Sequence, residues 1–174
     1  MRPVITIGPA CGRQVSEEKP MSVRVSLAKI VDAFDEQSEE STSHLNIKTG
    51  KIVTVMGEYK LAVEDGVDLS DETDWLRDEV ETAADVMESD DYLTLPTQFD
   101  IHEYRIIERF CLSLDDDDLR DQMLNAISGR GAFRMFKDGI HRHNIADDWY
   151  RYRQAAFREI AIEWCQRNGL EYDE

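Results

Sequence analysis

Arg130, Arg134, Lys137, Arg142, Arg151, Arg153 and Arg158 place seven cations in residues 129–158, against three acids, Asp138, Asp147 and Asp148. Side chains of this kind bind anions, because a guanidinium offers parallel N–H donors to a carboxylate or phosphate. Gly129-Arg130-Gly131 comes first, and glycines let a backbone approach a ligand closely while the N-terminus of a following helix favours negative charge. The candidate anion site is therefore Arg130, Gly131, Arg134, Lys137 and Arg142. A blander reading competes and carries more weight. In it Gly129 caps one helix, Gly131 turns the chain, and the arginines pair with acids of the first half, including Asp115 to Asp118; Gly-Arg-Gly is also shorter than a phosphate loop.

The surroundings sharpen this choice. The 174-residue chain carries a net charge of -17, all of it in residues 1–128 with 12 basic and 29 acidic side chains, whereas residues 129–174 balance at eight each. Acidity of this size opposes general affinity for nucleic acid or anionic membrane. Its segregation leaves one region where a phosphate-bearing ligand or RNA is admissible, residues 129–158.

Other residues offer less. Asp115 to Asp118 have hard-cation ligand chemistry, but consecutive helical residues point in different directions and the run lacks the alternation and central glycine of a calcium loop, so helix capping is expected. His141 and His143 diverge by about 200° on a helix, which disfavours a shared metal. His102-Glu103 suits a capping or surface role. No hydrolase triad, Cys–His nucleophile, dinucleotide fingerprint or phosphate loop is present, so neither metal nor cofactor is expected. Phe133, Phe136, Trp149 and Trp164 fall on helical seams and read as core, while Tyr150, near Arg151 and Arg153, is the exposed aromatic.

The elements that must position these residues follow from periodicity. Met21, Val23 and Val25 alternate like a short strand, and Ser26 is placed to cap a helix with Leu27, Ile30, Val31 and Phe34 on one face. His44–Ile47 and Lys51–Met56 flank Lys48-Thr49-Gly50, the mark of a three-residue hairpin with Gly50 at positive φ. A third strand is possible at Tyr59–Val63. Ser70 precedes acids that suit a helix start, with Leu76, Val80, Ala83 and Met87 as its seam to about Glu88. Tyr92–Leu95 reads as a brief strand or link before Pro96. Asp100 and Glu103 form an expected capping box for a helix with Tyr104, Ile107, Cys111 and Leu114 on one face. Asp115–Asp118 opens the next helix, with Gly129 as its cap; Phe133, Phe136 and Ile140 line another. Asp147 or Asp148 opens the last, which ends on Asn168-Gly169-Leu170 as a Schellman motif.

The expected fold is α+β: a small antiparallel hairpin or three-stranded sheet packed with four to five helices, the second half helical. Residues 21–174 are expected to form a single domain. Residues 1–20 read as a leader, either a flexible tail or the product of an upstream start codon. Cys11, Cys111 and Cys165 are odd in number and widely spaced, which fits a reducing cytoplasmic setting. No apolar run is long enough for a bilayer.

Leu45–Val53, Tyr92–Pro96, Ile101-His102-Glu103-Tyr104, Gly129–Asp138 and Ile162–Cys165 together resemble the bacterial Uncharacterised Protein Family 0158 over Met21 to Leu170. That family has no established activity, so the resemblance implies a compact bacterial protein and no mechanism. On the residues alone, a non-enzymatic regulatory or adaptor protein that binds a protein partner or an anionic ligand is expected. An RNA- or DNA-binding protein or nucleic-acid mimic is the alternative, and a small enzyme using His102, Glu103 and Arg134 the third.

Overall fold

The computed structural model describes residues 23–173; the leader 1–20 and Met21 lie outside them. Strand β1 (Val25–Ser26) pairs in parallel with β5 (Tyr172–Asp173), so the two ends of the described chain meet. Ser26 then caps α1 (Leu27–Glu36), whose Leu27, Ile30, Val31 and Phe34 are buried as their spacing predicts.

The hairpin joins β2 (Ser41–Asn46) to β3 (Ile52–Met56). Asn46 organises the turn: its Oδ1 accepts from the N–H groups of Lys48 and Thr49, both at 3.0 Å, and its carbonyl accepts from Gly50 at 2.8 Å. Gly50 has φ +69°, as the turn requires. The connection includes Ile47 and Lys51 as well as the three residues expected, and the Ile47 N–H turns to the Asp91 carbonyl (2.8 Å) instead of β3.

The third strand is β4 (Tyr92–Thr94), antiparallel to β2 in a sheet ordered β3-β2-β4. Tyr59–Val63 is helical instead, inside α2 (Gly57–Glu64). The Gly57 N–H bonds to the Glu40 carbonyl at 2.7 Å, beside the end of the hairpin. Tyr59 and Val63, four residues apart, then pack against Val55, Ala83 and Val86; either period puts them on one face, but a helix sets them one turn apart where a strand would separate them by about 13 Å.

Helix α3 (Asp74–Glu88) ends where expected but starts later than Ser70: Thr73 is the cap, accepting from the Leu76 N–H at 3.4 Å. Its buried seam runs through Val80, Ala83 and Val86, leaving Met87 exposed. This helix and α2 cover the sheet face that carries Thr42, His44, Val53 and Val55. The opposite face, with Leu45, Ile52 and Leu93, meets the main core.

The second half is helical. The expected Asp100–Glu103 box is displaced by one formed by Thr97 and Asp100, whose Oδ2 accepts from the Thr97 N–H (2.9 Å) and hydroxyl (2.7 Å). The box starts α4 (Gln98–Ile101). His102, left-handed at φ 50°, then kinks the chain into α5 (Glu103–Leu112). Asp116 caps α6 (Asp117–Ile127) through the Leu119 N–H at 2.9 Å. Gly131, at φ +79°, makes the corner expected of it and opens α7 (Ala132–Arg142), while Ser128, not Gly129, caps α6 and Gly129 has no left-handed backbone.

Helix α8 (Ala146–Arg167) ends in the expected Schellman motif: Gly169 at φ +67° and the Leu170 N–H on the Cys165 carbonyl at 2.9 Å. At the centre, Phe110, Phe136 and Trp149 meet edge to face, the last two with ring centroids 4.8 Å apart. Such contacts add to the burial of large rings. Phe133 is the exception to the aromatic core, half exposed on α7.

Candidate functional site

Arg134 and Lys137 lie one turn apart on α7 and line a hollow of about 570 Å³ with Asp138, Phe133, Glu103, Tyr150 and Arg153. A second hollow of about 530 Å³ shares Glu103, Phe133 and Arg153 with the first, and continues past Phe99 and Tyr104 to Phe34 and Phe157, with Asp35 and Glu39 also on its wall. Both fall in the size range of ligand pockets. The shared residues make them two ends of one groove, basic between α7 and α8 and aromatic between α1, α4 and α5.

The groove exists because of how Arg153 is held. From α8, it donates through Nε to Glu103 Oε1 of α5 and through Nη2 to Asp35 Oδ1 of α1, each at 2.7 Å. Its guanidinium carbon stands 4.1 Å from the centre of the Phe157 ring. Burial disfavours its charge, but the hydrogen bonds and charges of the two carboxylates outweigh that, so its pKa rises. Three helices are fastened at the floor by one side chain.

The remaining cations sort differently. Arg151 pairs with Asp148 one turn away, and Arg120 with Asp117. Among the described residues, Arg130, Arg134, Lys137 and Arg142 make no ion pair. Of these four only Arg134 and Lys137 line the groove; Arg130 and Gly131 stand in the exposed turn before it. Arg142 lies eight residues beyond Arg134, about 12 Å along the helix axis. The Ala132 N–H is bonded to the Gly129 carbonyl at 3.2 Å, so that part of the backbone cradle is occupied.

His102 and Arg134 line opposite ends of the groove, and Glu103 between them spends a carboxylate oxygen on Arg153. That is poor geometry for acid–base chemistry on one substrate. Among the described residues no group of three or more histidine, cysteine or acidic side chains is placed to hold a metal.

A second polar cluster escapes the sequence pattern. His44 is buried in β2 with its Nδ1 3.2 Å from the hydroxyl of Thr94, its direct neighbour on β4. Its Nε2 lies 2.9 Å from Thr42 Oγ1 and 3.1 Å from Lys60 Nζ, and Lys60 also donates to Thr42 at 2.7 Å. The ammonium must donate to Nε2, which puts the imidazole proton on Nδ1. Burial, then the charge of Lys60, lowers the His44 pKa to about 4, and burial lowers that of Lys60. Thr42 and His44 at alternate strand positions were the available signal; nothing local points to Lys60.

The model of the Uncharacterised protein family (UPF0158) matches residues 18–173. The chain is 25% identical over 67 residues to UPF0158 protein PA5073 of Pseudomonas aeruginosa, a match that spans 38% of this chain and 44% of that protein. No solved structure matches. With the family model covering the whole of the described chain, this protein belongs to the uncharacterised family UPF0158.

Proposed function

We propose that this chain is a non-enzymatic binding protein whose groove receives an acidic, aromatic-bearing segment of a protein partner. One observation carries the reading: Arg134 and Lys137, which make no ion pair although Asp138 and Glu103 line the same hollow, stand there beside the half-exposed Phe133 and Tyr150. Exposed aromatic rings beside unpaired cations are the composition of an interface centre, where a few such anchors supply most of the binding energy. A segment with one or two carboxylates suits two cations. A long nucleic acid would also bring its phosphates against a surface of net charge -17.

The test is an amide chemical-shift titration with a short peptide containing two aspartates and a phenylalanine, run beside inorganic phosphate and an oligouridine. The expected result is a cluster of shifts at Phe133, Arg134, Lys137 and Tyr150 for the peptide, weakened at least tenfold by Arg134→Ala with Lys137→Ala. Tighter binding of the oligonucleotide at the same amides, or no clustered response to the peptide, overturns the reading.

A further inference from the structure

The charge segregation along the sequence has a counterpart in three dimensions. Residues 64–75 hold six acids, Glu64, Asp65, Asp68, Asp71, Glu72 and Asp74, and no basic side chain. They form the connection from α2 into the first turn of α3, almost entirely exposed. At its end Trp75 is 63% exposed, touching Tyr59 edge to face at 6.3 Å. A tryptophan this open on a monomer is uncommon and is typical of binding anchors. Asp74 is partly neutralised by Arg77 at 3.3 Å, whereas Asp71 and Glu72 have no ion pair among the described residues.

This segment has what the two unpaired cations of the groove lack, carboxylates outside any ion pair. Carboxylates stand one turn or less from an indole, and the groove sets Arg134 and Lys137 beside Phe133, with the aromatic hollow of Phe99 beyond. We infer that the occupant of the groove is a second copy of this chain, which inserts Trp75 between Phe133 and Phe99 and lays Asp71 and Glu72 on Arg134 and Lys137. The inference rests on the groove reading above and names its partner.

The contact is head to tail, because knob and groove are different surfaces. Such an interface does not close on itself at two copies, so assembly continues to a ring or an open chain. Two molecules of charge -17 repel at long range, but at about 0.15 M salt the Debye length is near 8 Å. That screens the distant repulsion far more than contacts made across the interface. Weak, concentration-dependent association is the consequence.

Sedimentation velocity at that salt tests it with two variants at exposed positions, each checked for an unchanged melting curve. Trp75→Ala removes the knob and keeps the groove. Arg134→Glu with Lys137→Glu reverses the groove and keeps the knob. Wild type is expected to grow beyond a dimer on concentration to several hundred micromolar, and each variant alone to remain monomeric. Their mixture should form a heterodimer that goes no further, since one good knob meets one good groove. A monomeric wild type, or a mixture that fails to pair, overturns the self-docking. If the aspartate–phenylalanine peptide still shifts Phe133 and Arg134 in that case, only the identity of the occupant has failed. If it does not, the groove reading falls too.

Discussion

The ammonium of Lys60 donates to the Nε2 of His44 at 3.1 Å in a site that the sheet and α2 largely close to water. A lysine beside a histidine stays favourable only while the histidine is neutral. Protonation would place two cations in contact, with Thr42 and Thr94 as the other polar neighbours.

Acid should therefore weaken the fold through His44. Its folded pKa of about 4 lies below the ordinary histidine value of 6.5, so the unfolded chain takes up the proton first. The stabilisation is complete above pH 6.5 and disappears as pH falls through 4, a loss of roughly 3 kcal/mol. Lys60 is charged in both states across this window and adds no slope. Urea unfolding from pH 7 to 4 should show His44→Asn with a shallower decline than wild type, its constant offset set aside. Parallel curves would rule His44 out as the acid-sensitive group.

Arg153 fastens three helices, and its parts are separable. Arg153→Met keeps a stem over Phe157 and removes the donors to Glu103 and Asp35, leaving two partly exposed carboxylates. Solvent softens that cost to about 1–2 kcal/mol. Arg153→Lys should recover only part, since an ammonium cannot reproduce the two-pronged geometry. Thermal melts of both variants decide this. Equal melting points for wild type and Arg153→Met would mean that the clamp contributes nothing.

Much of this was legible from spacing, and what was not shares a physical cause. Leu27 to Phe34, the Asn46–Gly50 turn and the Gly169 ending were readable because period and left-handed backbone are local properties. Tyr59–Val63 was ambiguous because so short an apolar run fits either period, and only Ala83 and Val86 of α3 decide it. Thr73 displaced Ser70 as a cap, and Thr97 displaced Asp100, because several residues in each stretch can cap and packing further along selects one. Phe133 fits a helical seam by spacing, yet the neighbours that bury Phe136 do not reach it. The groove was half visible: the basic run marked α7 and α8, but Glu103 and Asp35, which take Arg153 out of play and leave Arg134 and Lys137 unpaired, are long-range partners.

The core thiols should be inert. Cys111 and Cys165 are fully buried and their pKa values are pushed up to about 11, chiefly by burial. At pH 8 about one in a thousand is a thiolate, and that fraction is out of reach of reagent. In a Cys11→Ser variant, which leaves these two, reaction with a disulfide reagent should proceed only as fast as the chain opens and should accelerate steeply through the urea transition. Stoichiometric labelling within seconds in native buffer would contradict the burial of both.

The hairpin turn has a steric lock that a double-mutant cycle can open. Gly50 sits at φ +69°, and a Cβ there would stand 2.9 Å from Val23 Cγ1. Gly50→Ala thus combines left-handed strain, about 1 kcal/mol, with a clash against a β-branched side chain that has few rotamers to retreat into. Val23→Ala removes the second term and not the first. The double variant should therefore be less destabilised than the sum of the singles, by about 0.5–1 kcal/mol, while Gly50→Asn, which tolerates the left-handed region, keeps the clash and loses most of the strain. Strict additivity in urea unfolding would show that Val23 does not press on the turn in solution, and the whole cost of Gly50→Ala would then belong to its backbone.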